Sequence, residues 1–157
     1  MREDHSMLVL LGGFRGSGKR KLAIELARQR GFHWYDIWRH QVFGAPSTDI
    51  ERLFVYSKIV RDFSLLSKMY SGVVLSDGLH RKKPREFLVE KSKDFFSEVA
   101  YVWIDSHRSD FPEKTKEVRS RMIAEYEPDP LRPIFFNEGP PFEKPALDLW
   151  CLIEKNC

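Results

Sequence analysis

Three glycines followed at once by a lysine constrain this chain more than any other feature. The run is Gly13-Phe14-Arg15-Gly16-Ser17-Gly18-Lys19. It follows an unbroken apolar segment, Met7-Leu8-Val9-Leu10-Leu11. It precedes a stretch in which Leu22, Ala23, Leu26 and Ala27 recur before Gly31. A short apolar run reads as a buried strand, and the spacing after the glycines reads as an amphipathic helix with a glycine stop. Glycine lets the backbone wrap closely around a ligand. The following helix adds the positive end of its dipole, so the turn is built to receive an anion. Gly13, Gly18 and Lys19 meet the G-x-x-x-x-G-K spacing of a phosphate-binding loop, in which the lysine reaches the β- and γ-phosphates of a nucleotide. Gly13, Phe14, Arg15, Gly16, Ser17, Gly18 and Lys19 are therefore candidate nucleotide contacts, and Arg20 and Lys21 extend them.

One residue departs from the pattern. The position after the lysine is normally Ser or Thr, whose hydroxyl binds Mg²⁺. Here it is Arg20. A guanidinium has donors only and cannot ligate a metal. Three readings stay open: Mg²⁺ held by other groups and water, Arg20 supplying positive charge in its place, or binding without catalysis.

The rest of the chain alternates strand and helix patterns. His33-Trp34-Tyr35-Asp36 reads as a second strand ending on a carboxylate. A long helix opens near Pro46-Ser47-Thr48, with capping-box spacing between Thr48 and Glu51 and an apolar face at Ile50, Leu53, Phe54 and Val60. Residues 72–77 and 99–105 read as the third and fourth strands, 84–97 and 112–125 as helices, and 147–153 as the last strand. Pro112 suits a first helical position. Residues 128–145 hold six of the nine prolines and read as an extended surface connection. Strands alternating with helices over 157 residues imply one α/β domain, 1–157, with a parallel sheet covered on both faces.

Candidate chemistry gathers where these strands end. Asp77 follows Val73-Val74-Leu75-Ser76 at the strand end where open α/β sheets place ligands. It reads as a Walker-B-type carboxylate orienting Mg²⁺ or its water; the alternative is a turn residue before Gly78. Asp36 would share that rim and could orient or deprotonate an acceptor hydroxyl; the alternative is a cap. Arg119 and Arg121, on the helix after the fourth strand, are candidates for stabilising a transferring phosphoryl group. Their spacing of two points them apart, so at most one faces the ligand. His80-Arg81-Lys82-Lys83 and Arg85 read either as a receptor for an anionic acceptor or as a solvated charge run. Trp34, Tyr35 and Trp38 read as core or as a stacking surface for a base.

Cys151 and Cys157 form neither a metal-ligand spacing nor a disulfide framework, which reads as a reduced, cytoplasmic protein. No apolar run approaches the roughly 20 residues of a membrane span, and residues 7–11 are too short for a signal-peptide core. The net charge of +3 is too small to argue for nucleic acid by itself.

With these residues in view, the chain resembles the P-loop kinases of the adenylate-kinase-like group. Its likeness is nearest the polynucleotide 5′-hydroxyl kinase and small-acceptor branch. The resemblance rests on residues 13–19, Asp36, Val73-Val74-Leu75-Ser76-Asp77-Gly78, Tyr101-Val102-Trp103-Ile104, the Arg119/Arg121 helix and Phe142-Glu143-Lys144-Pro145. It implies a three-layer α/β/α P-loop NTPase fold with a five-stranded parallel sheet in order 2-3-1-4-5. It also implies a mobile lid around residues 108–135, ATP or GTP as donor, and Mg²⁺ where Arg20 permits. By position, Lys19, Asp36, Arg119 and Arg121 resemble the family's catalytic set, and Asp77 its metal-shell carboxylate. The expected partners are a nucleoside triphosphate and a hydroxyl acceptor, either a small molecule, a nucleotide or a nucleic-acid end, with no membrane. The competing expectations are a nucleotide-binding module without turnover and a protein that binds nucleic-acid ends.

Overall fold

The computed structural model describes residues 5–37 and 46–155. Five strands form one parallel sheet: β1 (Met7–Gly12), β2 (His33–Tyr35), β3 (Gly72–Ser76), β4 (Glu98–Asp105) and β5 (Ile134–Phe136). Their order is β2-β3-β1-β4-β5, within a three-layer α/β/α fold. Five helices connect or follow them: α1 (Lys19–Arg30), α2 (Asp49–Met69), α3 (Lys82–Ser92), α4 (Glu113–Glu125) and α5 (Glu143–Glu154).

The central strand explains the layering. All six residues of β1 are buried. Successive side chains leave a strand on opposite faces, so a continuous apolar run needs cover on both. Leu8 and Leu10 enter one core with Tyr56, Ile59 and Phe63 of α2 and Leu88 of α3. Met7, Val9 and Leu11 enter the other with Leu22, Ala23 and Leu26 of α1 and Ala146 and Leu149 of α5. Helix α4 contributes no buried residue and lies outside both cores.

Several expected boundaries are corrected. Residues 147–153 are not the last strand: they belong to α5, whose Ala146, Leu149, Trp150 and Ile153 recur at helical spacing against the sheet. Pro145 is tolerated because it lies in the first helical turn, where the amides have no intrahelical partner. The fifth strand lies instead inside the proline-rich stretch, where Trp103 pairs with Ile134 and Asp105 with Phe136. Residues 134 and 135 thus belong to the sheet and not to a lid. Ile50 and Phe54 do not face the core but are 81% and 61% exposed; the buried face of α2 is Val55, Tyr56, Ile59 and Phe63. Helix α3 ends at Ser92, and Phe96 enters the core from the turn that follows. Pro112 sits just before the first residue of α4 and makes no side-chain cap. Thr48 does cap α2, accepting from the Glu51 amide at 3.2 Å, but the Glu51 carboxylate reaches back to the amide of Ser47 at 2.7 Å.

Cys151 lies in α5, and Cys157 and Trp38 lie outside the described residues. No helix among the described residues is long and apolar enough to cross a membrane.

Candidate functional site

All five strands end on one cleft of about 1170 Å³. Residues 15–21 enter it from the end of β1, Asp36 from β2, Asp77 from β3, Ser106 and His107 from β4, and Asn137 from β5. This is the edge at which parallel α/β sheets bind ligands.

The glycine loop is shaped by close backbone approaches. A Cβ on Gly13 would lie 2.5 Å from the carbonyl oxygen of Ile104, a collision with β4 that no side chain could relieve. Gly16 and Gly18 have φ of +90° and +80°, which glycine adopts without strain. The loop is then tied on three sides. The Gly13 amide donates to Gly78 at 3.1 Å. Asn137 Nδ2 donates to the Ser17 carbonyl at 3.0 Å, and Arg119 donates to the Arg15 carbonyl at 3.2 Å. Phe14 turns its ring out of the cleft, edge-on to Trp103 and Tyr126 at 5.1 and 5.0 Å.

Lys19 opens α1 and donates to the Phe14 carbonyl at 3.4 Å. Burial lowers its pKa to about 8; nearby Asp77 raises it, and Arg15 and Arg119 lower it further. A site that penalises its own ammonium gains when a polyanion enters.

Asp77 is held from two directions. Its amide donates to Leu11 at 3.1 Å, and its carboxylate accepts from the Tyr56 hydroxyl at 2.5 Å. Burial, and then the Asp77 charge, push the Tyr56 phenol well above its ordinary pKa, so it remains a donor. Among the described residues no three His, Cys, Asp or Glu side chains are grouped to hold a metal. Mg²⁺ needs no such cage, since one carboxylate with waters and substrate phosphates commonly suffices. Asp77, with Ser76 beside it in the cleft lining, fits that donor set.

Arg20 lines the cleft with its guanidinium 5.3 Å from the centre of the Trp34 ring. The structure separates the two lid candidates. Arg121 lines the cleft. Arg119 lies outside the lining, bonded to the loop carbonyl and set over Phe14 and Phe111 at 5.4 and 5.0 Å. Asp36 lines the cleft, as do Trp34 and Tyr35, and Tyr35 is also part of the core.

The basic cluster after Asp77 divides: Lys82 and Lys83 are exposed, as a solvated run would be, whereas His80, Arg81 and Arg85 are committed to partners. Arg81 donates to both carboxylate oxygens of Asp49, at 3.0 and 3.1 Å, and to the Glu125 carbonyl at 2.8 Å. Arg85 is buried and donates to the carbonyls of Leu79 and Glu127 at 3.1 and 2.7 Å. These bonds fasten the end of α4 to the turn after β3. Leu79 in that turn takes φ +54°, a costly value for a side chain of its size.

Sequence reasoning missed Arg52, Tyr56 and Asn137. Arg52 and Tyr56 lie one turn apart on α2, but their bearing depends on a helix face that the apolar pattern placed correctly only at Val60, since Ile50 and Phe54 are exposed. Asn137 follows a strand that was not expected.

No protein-family model and no curated protein sequence matches the chain. Solved structures match closely in shape. An APS kinase from Mycobacterium tuberculosis superposes with TM-score 0.74 at 16% identity, covering 96% of this chain and 98% of that one. A gluconokinase from Sinorhizobium meliloti gives 0.67 at 19%, with coverage of 99% and 97%. A shikimate kinase from Aquifex aeolicus gives 0.57 at 18%, with coverage of 96% and 98%. The chain therefore has the fold of these P-loop kinases.

Proposed function

We propose that the protein is a phosphotransferase that moves the γ-phosphate of a nucleoside triphosphate to a hydroxyl of a small acceptor. The observation that carries this reading is the meeting of Lys19, Asp77, Asp36 and Arg121 from four different elements in one cleft. The fold shared with small-molecule kinases supports it. The loop and Lys19 would hold the donor phosphates, with ATP or GTP as the donor. Asp77 and Ser76 would hold Mg²⁺, largely through water, and the ion would supply neutralising charge at the β- and γ-oxygens. Asp36 would orient the acceptor hydroxyl and take its proton as the oxygen attacks phosphorus. Arg121 would meet the charge that spreads over the transferring group. Catalysis of this kind is positioning and charge stabilisation.

A small acceptor is favoured over a nucleic-acid end because Arg81 and Arg85 are already committed to Asp49 and to the end of α4. A backbone-binding stripe would need a longer row of uncommitted cations than the exposed Lys82 and Lys83 supply. The test is incubation with ATP or GTP, Mg²⁺ and a panel of hydroxyl compounds, read by phosphorus NMR. Transfer that disappears in Lys19→Ala is expected; no product with any acceptor would refute the proposal.

A second reading is nucleotide binding without turnover, and the placement of Arg20 favours it. The position that normally offers Mg²⁺ a hydroxyl offers a cation set against Trp34. Nucleotide affinity unchanged by chelator would support this reading over the first.

A further inference from the structure

We propose that Arg52 and His80 form an anion-reading subsite for the acceptor, and that the Glu125 carboxylate occupies it in place of the acceptor's own anionic group. The inference rests on the phosphotransferase reading and names its acceptor class: a hydroxyl compound that carries a carboxylate or a phosphate.

Glu125 is the last residue of α4, and its Oε2 lies 3.3 Å from His80 Nε2 and 3.6 Å from Arg52 Nη2. All three residues line the cleft. The Arg52 side chain is only 12% exposed, so its guanidinium sits where a cation is poorly hydrated, and His80 is 5% exposed, with burial lowering its pKa so that it serves as a neutral hydrogen-bonding imidazole. A guanidinium so placed is costly without an anion.

The two anions that serve Arg52 differ in how firmly they are held. Asp49 lies 3.3 Å from Arg52 on the same helix and is gripped by two hydrogen bonds from Arg81. Glu125 uses one oxygen for both partners and is the more exposed of the two anions, at 36% against 28%. Its backbone is fixed separately, since Arg81 bonds the Glu125 carbonyl. The carboxylate can therefore leave by side-chain rotation while the end of α4 stays anchored. An incoming anion then replaces it with no net loss of charge pairing. A neutral acceptor offers no such replacement, so Glu125 stays and excludes it from the subsite. The charged groups facing His80 are Glu125 from α4, Arg52 from α2 and Asp77 from the end of β3.

The test uses three probes on one carbon frame: glycerol, glycerate and glycerol 3-phosphate. Their binding to the full chain is measured calorimetrically, with a non-hydrolysable ATP analogue in excess to fill the phosphate loop. Wild type is expected to bind at least one anionic probe about tenfold or more tighter than glycerol. Glu125→Gln removes the internal competitor. It should tighten the anionic probes several-fold and leave glycerol unchanged, because an occupied subsite taxes apparent affinity. Arg52→Met should abolish the preference. The tighter of the two anions identifies the group the subsite prefers. Anion affinity that is unchanged or weaker in Glu125→Gln would overturn the inference, and a gain of affinity cannot arise from misfolding. Binding is read without turnover, so the two proposals fail separately. Anion binding as expected with no transferred phosphate sinks only the phosphotransferase reading. Phosphate transfer with affinities indifferent to Glu125 sinks only the subsite.

Discussion

The Tyr56 hydroxyl donates to Asp77 Oδ2 across 2.5 Å, so a helix from one layer fixes the carboxylate at the end of β3. Tyr56 is 1% exposed, and its ring fills the core while its oxygen reaches the cleft. Tyr56→Phe keeps the ring and deletes the donor. Hydrogen bonds to a charged acceptor contribute about 1.5–3 kcal/mol, and the partial access of Asp77 to water puts this one near the lower end. Urea unfolding should show a loss of about 1–2 kcal/mol with an unchanged m-value. No measurable loss would mean that the bond does not hold Asp77.

Lys19 sets a pH dependence whose two consequences have opposite sign. Its pKa falls from 10.5 to about 8 on folding, through burial first. Between those values the unfolded chain keeps a proton that the native chain releases. Stability therefore rises with pH across that window, and the cost of the buried charge is fully present below it. Phosphate binding needs the charged lysine. Metal-free ADP affinity should thus decline as pH rises through about 8. Lys19→Met should bind weakly with a flatter profile. A wild-type profile that stays level to pH 9.5 would contradict this account of Lys19.

Arg20 stands at the position that normally offers Mg²⁺ a hydroxyl. Arg20→Thr places a hydroxyl where Mg²⁺ is commonly met, and should raise Mg²⁺-dependent turnover about tenfold. The same change removes a cation near the phosphates, so metal-free nucleotide binding should weaken a few-fold. Its contact with Trp34 costs little to lose, about 0.5–1 kcal/mol at an exposed site. Turnover that falls in Arg20→Thr would show that the guanidinium itself serves the reaction.

Arg119 and Arg121 should separate in kinetics as they do in space. Arg121 lines the cleft, and Arg121→Ala should lower kcat about 100-fold with little change in the KM for nucleotide. Arg119 holds the Arg15 carbonyl, so Arg119→Ala should act mainly by raising the nucleotide KM several-fold. The reverse pattern would place Arg119 at the transferring phosphate.

The frame of this fold was legible where one physical signal acted alone. Met7-Leu8-Val9-Leu10-Leu11 could only be a strand buried on both faces, and the glycines after it fixed the loop. The parallel order followed from a resemblance carried by short motifs, and the sheet has it. Legibility failed where signals conflicted. Proline density masked Ile134-Phe135-Phe136, a strand of only three residues at the sheet edge. An apolar run hid the helical period of α5. On α2, Val60 packs against the core as expected, but Ile50 and Phe54 are apolar yet exposed, so counting apolar residues blurred the buried face and lost Arg52 and Tyr56 with it. Arg81 and Arg85 looked solvated like their exposed neighbours Lys82 and Lys83 because their partners, Asp49, Glu125 and Glu127, are distant in sequence.

The most direct test of the central claim is phosphorus NMR of the purified protein with ATP, Mg²⁺ and a hydroxyl-acceptor panel rich in hydroxy acids and phosphorylated polyols. Wild type, Lys19→Ala and Asp77→Asn are compared side by side. The account predicts a new phosphate-ester signal with wild type, in step with ADP release, and its loss in both variants. No ester from any acceptor while ATP still binds tightly, or an ester that persists in Lys19→Ala, would contradict it.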